Sequence, residues 1–417
     1  MATAVADRFA PISVADRPAH VPPELVMDLA WARGEVPVTY DEPFRDTEVF
    51  FDGKTPPLMW MPDCISGHPG VGSWIVSRYE DISRVYQDSN LFSTHTVAAF
   101  QAMAGETWPS IPLGIDPPDH GKYRAMLNPY FSPKAVDALE AKIRAGAASL
   151  IDGFAKDGTV DVSYDFSRIF PVRVVMDLMG YPFAMFEQFV TWFYEILHSH
   201  DVSRAVENLR GILAYIRQFV DEQKANPGPE LAGRIVTSQV GGRPITDDEI
   251  MGTIFFLWLG GIDTVAGSLA MMFRRLAKDQ ALQQKLRDDP ALIPDAIEEF
   301  LRTQPLVNSQ RLVKKDFEWY GQSIKQGDWV TCLITAGNFD PAEFDNPRQF
   351  RMDRQGNRHF TFSGGPHRCL GSHLARRELK IALEEFFARV PTFRLADDDT
   401  GLVNPGLQSA RHVKLAW

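Results

Sequence analysis

The chain has 417 residues, 45% of them hydrophobic, and a formal net charge of -11. Such a composition suits a globular protein able to bury a large core. The acidic balance, with no basic stripe carrying interleaved aromatics, argues against nucleic acid as a partner.

In chain order, residues 1–43 form a peripheral N-terminal segment. Asp7, Arg8, Asp16 and Arg17 interrupt it, so it offers no apolar stretch for a signal peptide or anchor. The longest apolar run, Ile254 to Ile262, falls far short of the roughly 20 residues that span a bilayer. Cys64, Cys332 and Cys369 form neither a CxxC pair nor an even disulfide set, which points to a reducing compartment. The expectation is a soluble, cytoplasmic protein with no membrane partner. Trp74-Ile75-Val76 and Trp329-Val330-Thr331 read as short strands between turns. Helices are predicted over Leu139–Phe154, Phe186–His198, Ala205–Gln223, Gln280–Asp288 and Pro294–Arg302, the last two separated by Pro290. Phe92 to Asp116 reads as a long loop with Pro109 and Pro112. No Gly/Ser tract, charge block or repeat marks a boundary, and Lys224–Glu230 is too short to be one. Residues 1–417 are therefore expected to form a single domain.

Thr246-Asp247-Asp248-Glu249 is a capping box opening a long helix that runs without proline to Lys278. Its mostly apolar circumference predicts that it crosses the core. Gly260-Gly261-Ile262-Asp263-Thr264 breaks the pattern. Each glycine costs about 1 kcal/mol relative to alanine, and an acid in an apolar helix costs more unless paired. Thr264 lies four residues after Gly260, so its hydroxyl is expected to bond that carbonyl and loosen the helix. A turn widened in this way makes a groove for a small ligand. The alternative is a close helix–helix contact at the glycines, with Asp263 paired to a distant base.

Further on, Glu299 and Arg302 stand one helical turn apart and face each other. Near the C-terminus, Phe362-Ser363-Gly364-Gly365-Pro366-His367-Arg368-Cys369-Leu370-Gly371 places a cysteine between a glycine-rich turn and a predicted helix from Ser372. A helix N-terminus with His367 and Arg368 beside it lowers a thiol pKa and favours the anion that ligates metal. Gly364, Gly365 and Gly371 allow tight turns and close approach of a flat ligand.

The spacing Phe362, Gly365, Cys369, Gly371, continued by Leu374 and Ala375, resembles the haem-binding signature of the cytochrome P-450 superfamily. The glycine, glycine, any residue, acid, threonine pattern at 260–264 and the Glu299-x-x-Arg302 pair resemble two further signatures of that family. The likeness extends from about Phe44 to Trp417 and is strongest to the camphor-hydroxylase-like bacterial branch. It implies a mainly α, triangular fold with a small β-rich lobe and haem b (iron protoporphyrin IX) between the long central helix and the Cys loop. By the same resemblance Cys369 is the axial iron ligand, and thiolate donation favours O–O cleavage. Phe362 packs near the sulfur. Gly260 and Gly261 leave room for dioxygen, Thr264 hydrogen-bonds it, and Asp263 helps relay protons. His120, Arg124, Arg311 and His367 bind the haem propionates. Glu299 and Arg302 form a buried structural pair, which in the family is joined by an arginine from a Pro-x-Arg-Phe segment. Here Pro347-Arg348-Gln349-Phe350 carries Gln349 at that place, leaving open whether Arg348 completes the network.

The implied reaction inserts one oxygen atom of O2 into a C–H bond of a small apolar substrate. Candidate pocket residues are Trp108, Leu257, Val307 and Leu407. Trp108 stands where the camphor branch carries a ketone-binding tyrosine, and Ser309 where it carries an aspartate. These departures point away from camphor towards a small terpenoid or norisoprenoid. No flavin-type dinucleotide fingerprint or second cysteine cluster is present, so electrons are expected from an iron-sulfur ferredoxin with its reductase. Its docking face would include Arg84, Lys122, Arg124 and Arg368. A peroxide-driven haem-thiolate enzyme or a haem-thiolate sensor remain the alternatives, though neither has a use for Asp263 with Thr264.

Overall fold

The computed structural model describes residues 17–26, 49–51, 53–62, 71–95, 97, 100–199, 201–396, 409–410 and 412–417. Cys64 and Leu407 lie outside the described residues, as does most of the N-terminal 43-residue segment. The chain's contacts sort into two compact units. One comprises residues 1–95, 295–369 and 400–411, and the other residues 96–294, 370–399 and 412–417.

The first unit is built on a five-stranded sheet. Its strands are β1 (Leu58–Met61), β2 (Ser73–Val76), β3 (Phe92–Ser93), β4 (Ser309–Val313) and β5 (Trp329–Cys332), in the spatial order β1-β2-β5-β4-β3. Only the β5 and β2 pair is parallel, with Val330 opposite Trp74. β1, β2 and β5 are buried along their whole length, and β2 and β5 are rich in β-branched and aromatic residues. Trp74, Val76, Val330 and Cys332 pack with Ile82 and Val85 of helix α1 (Tyr79–Gln87) and with Phe360. Helix α10 (Ile293–Thr303) carries Glu299 and Arg302, both fully buried.

The second unit is helical. It contains α2 (His120–Leu127), α3 (Glu140–Asp152), α4 (Ile169–Met179), α5 (Phe186–His198), α6 (Val202–Ala225), α7 (Asp247–Gly260), α8 (Asp263–Lys278), α9 (Gln280–Asp288) and α11 (Ser372–Arg389). A short three-stranded sheet joins Thr159–Asp161, Arg394–Leu395 and Lys414–Ala416. Phe166 and Phe170 stack nearly parallel, and Phe166, Phe273, Phe386 and Phe393 meet in tilted and edge-to-face pairs around α8, geometries that ring quadrupoles favour. The stretch Asp247–Lys278 is long and apolar enough to cross a membrane, yet 61% of its most apolar window is buried within the protein, as expected of a core helix. The predicted helices at 139–154, 186–198, 205–223, 280–288 and 294–302 all form, the second and fourth with the predicted ends and the others with ends shifted by one to three residues.

The start of α7 shows how sequence becomes position. Both halves of the capping box form: Glu249 N–H donates to Thr246 Oγ1 (3.4 Å), and Thr246 N–H donates to a Glu249 carboxylate oxygen (2.8 Å). Glu249 also accepts from the Tyr123 hydroxyl of α2 (2.6 Å) and from both ends of the Arg243 fork (2.8 and 2.5 Å). The Arg243 hydrogen bonds pull the Glu249 carboxyl down to about 2 against the opposing cost of burial. A depressed carboxyl stabilises the fold fully above its ordinary value of 4.5, and that contribution is lost as pH falls towards 2. Glu249→Gln should therefore flatten the acid side of the stability profile in that window. Urea midpoints between pH 5 and pH 2 measure this, and an unchanged slope would refute it.

Candidate active site

The Cys loop begins where Asn338 and Thr361 tie it down. Asn338 accepts the Phe360 N–H (2.8 Å), and the Thr361 hydroxyl donates to the Leu301 carbonyl at the end of α10 (2.6 Å). The loop then turns tightly, with Ser363 and Gly365 at φ of 59° and 63°. Arg368 N–H returns to the Gly365 carbonyl (3.2 Å) and Cys369 N–H to the Phe362 carbonyl (2.9 Å). Gly365 is needed twice over. Its φ lies in the left-handed region, and a Cβ there would collide with the Tyr86 backbone carbonyl of α1. The close approach this glycine permits in the structure is thus to α1, a role the sequence reading assigned to a ligand.

Among the described residues the two free cysteines divide sharply. Cys332 is buried in β5, and burial pushes its thiol up to about 12, while Cys369 is exposed. Helix α11 starts at Ser372 with Gly371 as its N-cap, three residues past Cys369, as the sequence predicts. Phe362 is half-buried and lies 6.0 Å from the His359 ring. His367 shares a hydrogen bond of 3.3 Å with the Thr94 hydroxyl.

On the central helix the break at the glycines is complete: α7 ends at Gly260, α8 starts at Asp263, and Gly261 and Ile262 form a turn. No hydrogen bond joins the Thr264 hydroxyl to the Gly260 carbonyl. The turn removes the helical i to i−4 geometry such a bond requires, and the expectation of one is corrected accordingly. The two glycines also do different things. A Cβ on Gly261 would lie 2.8 Å from Val175 of α4, so Gly261 serves a helix–helix contact. A Cβ on Gly260 would meet nothing nearer than Phe256 at 3.9 Å. From Ile250 to Arg274 every residue is buried except Phe256, Leu257, Gly260, Gly261, Asp263 and Thr264. Those six lie around the turn and make up the accessible face of an otherwise enclosed rod.

Asp263 is half-buried at the first turn of α8. Tyr194 of α5 feels its charge: burial first, and then Asp263, push the Tyr194 phenol upward, while Arg168 opposes them. The Arg168 guanidinium is 3.5 Å from the Tyr194 ring centre and 4.0 Å from that of Tyr164. No local motif announces this group in the sequence.

The predicted cations fall in two places. His120 and Arg124 lie one turn apart on α2. His120 is buried, and burial first, then Arg124, pull its imidazole down to about 4, so it is neutral at physiological pH. Arg124 donates to Asn128 (3.0 Å), and Lys122 pairs with Asp119 (2.6 Å). Arg311 of β4 is only 4% exposed, yet it pairs with no carboxylate among the described residues. It donates to the Gln310 carbonyl (2.8 Å) and lies over the Tyr86 ring at 5.1 Å. Ser309 and Tyr86 share a hydrogen bond of 2.6 Å beside it. A buried guanidinium without an acid carries an uncompensated desolvation cost that an anionic ligand group would offset.

Of the expected pocket residues, Leu257 lies on the accessible face and Val307 is exposed. Trp108 is buried, and its indole N–H is already donated to Glu106 (2.8 Å). Arg84 and Arg368 are exposed; the Arg84 guanidinium lies 4.9 Å from the Trp319 ring. In the Glu299–Arg302 network the additional guanidinium is that of Arg354, which donates to Glu299 at 3.0 Å, while Gln349 contributes its backbone carbonyl.

The cytochrome P450 family profile matches residues 230–401. "Probable cytochrome P450 127A1" from Sinorhizobium fredii is 36% identical over 404 residues, spanning 96% of this chain and 96% of that protein. The chain belongs to the cytochrome P450 family. "Steroid C26-monooxygenase" from Mycobacterium tuberculosis is 32% identical to this P450 over 70% of its chain and 82% of the relative. The crystal structure of CYP101J2 matches with a TM-score of 0.85 at 34% identity, over 96% of this chain and 99% of that one. The fold is that of P450s, mainly helical with small sheets. This P450 is a monooxygenase with haem b as cofactor, using O2, a substrate and redox partners. Its residues fit the cofactor: the exposed cysteine can hold iron, and the buried, acid-free Arg311 can receive a propionate.

Proposed function

We propose that this P450 hydroxylates a small apolar substrate, a terpenoid or norisoprenoid, in the cytoplasm with electrons from an iron-sulfur ferredoxin. The observation that carries the reading is the accessible face on the buried central helix, which ends in an acid and a hydroxyl. Haem, held through Cys369 and by propionate contacts from His120, Arg124, Arg311 and His367, supplies the oxygen-activating chemistry when bound. The chain's own residues supply the rest. Gly260 keeps the face open for a small ligand. Thr264 presents an O–H donor, and Asp263 holds and passes protons at its carboxylate, the two roles that splitting an O–O bond in a water-poor site requires. Phe256 and Leu257 offer hydrocarbon to the substrate. The commitment of the Trp108 N–H to Glu106 takes away an indole donor that could favour a ketone, which supports an apolar substrate other than camphor. Arg84, Lys122, Arg124 and Arg368 form the basic set for an acidic ferredoxin.

Thr264→Ala should retain haem and substrate binding while product formed per reductant consumed falls, because a positioned proton-handling group is lost. Hydrogen peroxide should account for the missing electrons. Unchanged coupling would sink the role assigned to Thr264.

A further inference from the structure

The loop after Phe100 is fastened to the second unit in two different ways. Its inner side is built in. Ile111 N–H donates to the Gly252 carbonyl of α7 (3.3 Å), and Gly252 has no room for a side chain beneath the Pro109 carbonyl. Trp108 packs edge-on against Phe255, with ring centres 5.5 Å apart. The Gln101 side chain spans the loop internally, donating to the Trp108 carbonyl (2.8 Å) and accepting from the Ser110 hydroxyl (3.2 Å), with both residues buried.

The outer side depends on one charge pair. Arg217, midway along α6, donates to Glu106 Oε2 at 2.6 Å, and the Trp108 indole donates to that same oxygen at 2.8 Å. The Arg217 side chain is 47% exposed and that of Glu106 20%, so water and salt reach the pair while Trp108 lies beneath it. The hydrogen bond from Arg217 first, and then that from Trp108, hold the Glu106 carboxyl below its usual range. A single carboxylate oxygen thus couples a surface cation to a buried aromatic ring.

We propose that Arg217 and Glu106 form an electrostatic strap that keeps Trp108 and its loop closed against α7, and that opening of this strap limits the entry of bulky ligands. The proposal rests on the reading that this loop walls the substrate pocket. Because the pair is partly exposed, salt screens it, and ionic strength loosens the strap.

The test uses the haem-loaded ferric protein and two iron-binding probes, cyanide as the small one and 4-phenylimidazole as the bulky one. Their association is followed by the Soret shift in stopped flow. Arg217→Gln should speed 4-phenylimidazole about fivefold, the scale of one partly exposed ion pair, and leave cyanide unchanged. Glu106→Gln keeps an acceptor for the Trp108 indole and should do the same. Raising the salt should accelerate 4-phenylimidazole in the parent protein but not in either variant. Equal acceleration of both probes, or unaltered 4-phenylimidazole rates in both single variants, would overturn the strap. A parent protein that takes up cyanide but shows no shift with 4-phenylimidazole would overturn the pocket reading beneath it.

Discussion

Arg302→Met should leave little or no cooperatively folded protein. Arg302 and Glu299 are both fully buried. The guanidinium donates twice to Glu299, at 2.8 and 2.6 Å, and once to the Asn338 carbonyl at 2.9 Å. Glu299 further accepts from Arg354, from the Asn357 amide and from the Arg351 backbone N–H. Phe339 and Phe344 flank the Arg302 guanidinium at 5.1 and 5.2 Å. Methionine fills much of the volume but takes away the bidentate partner of Glu299, leaving Arg354 as its remaining cation. Removing one partner of a buried pair costs about 3–5 kcal/mol, and whole domains hold only about 5–15. The 351–357 segment also meets α10 on Glu299, so the loss spreads to the stretch leading into the Cys loop. Expression as aggregate, or a melting temperature lowered by at least about 8 °C, is the expected result. A variant that melts with the parent would show that the network is dispensable. Arg354→Met removes a guanidinium with 7% side-chain exposure from the same carboxylate and should cost less, because Arg302 still pairs with it.

Cys369→Ser should abolish monooxygenase turnover, by at least roughly a thousandfold, the scale seen when a member of a catalytic unit is removed. The hydroxyl is a poor anion at neutral pH and gives iron none of the electron donation of a thiolate. The fold should persist, because the Cys369 side chain is exposed and the loop is held by backbone bonds from Arg368 and Cys369. Cys332→Ala provides the contrast. Its thiol lies in the β5 core, so the variant should lose some stability yet keep the parent spectrum and turnover. Equal loss of activity in both variants would contradict the assignment of Cys369.

What could be read from the sequence was what depends on neighbours in the chain. Thr246 and Glu249 are three residues apart, and the capping box formed on both sides. Glu299 and Arg302 share a helical face, and they pair. The glycines at 260 and 261 did disrupt the central helix, but the division of labour between them depended on Val175 of α4, which lies against Gly261 alone. Gly365 was recognisable as a turn residue, whereas its collision partner, Tyr86, lies 279 residues earlier. Arg354 escaped because the path of the chain after Pro347 decides which arginine reaches Glu299. The fate of the Trp108 N–H was hidden for the same reason, since it depends on a carboxylate held by Arg217 of α6. Pairing across long separations is set by tertiary packing, and local pattern carries no trace of it.

The central claim is that Cys369 delivers a thiolate to haem iron. The most direct measurement is the absorption spectrum of the reduced protein under carbon monoxide. A Soret band shifted far to the red, of the thiolate-ligated type, is the predicted result, and it should vanish in Cys369→Ser while surviving in Cys332→Ala. A reduced, haem-replete parent protein whose band matches imidazole-ligated haem would contradict the account.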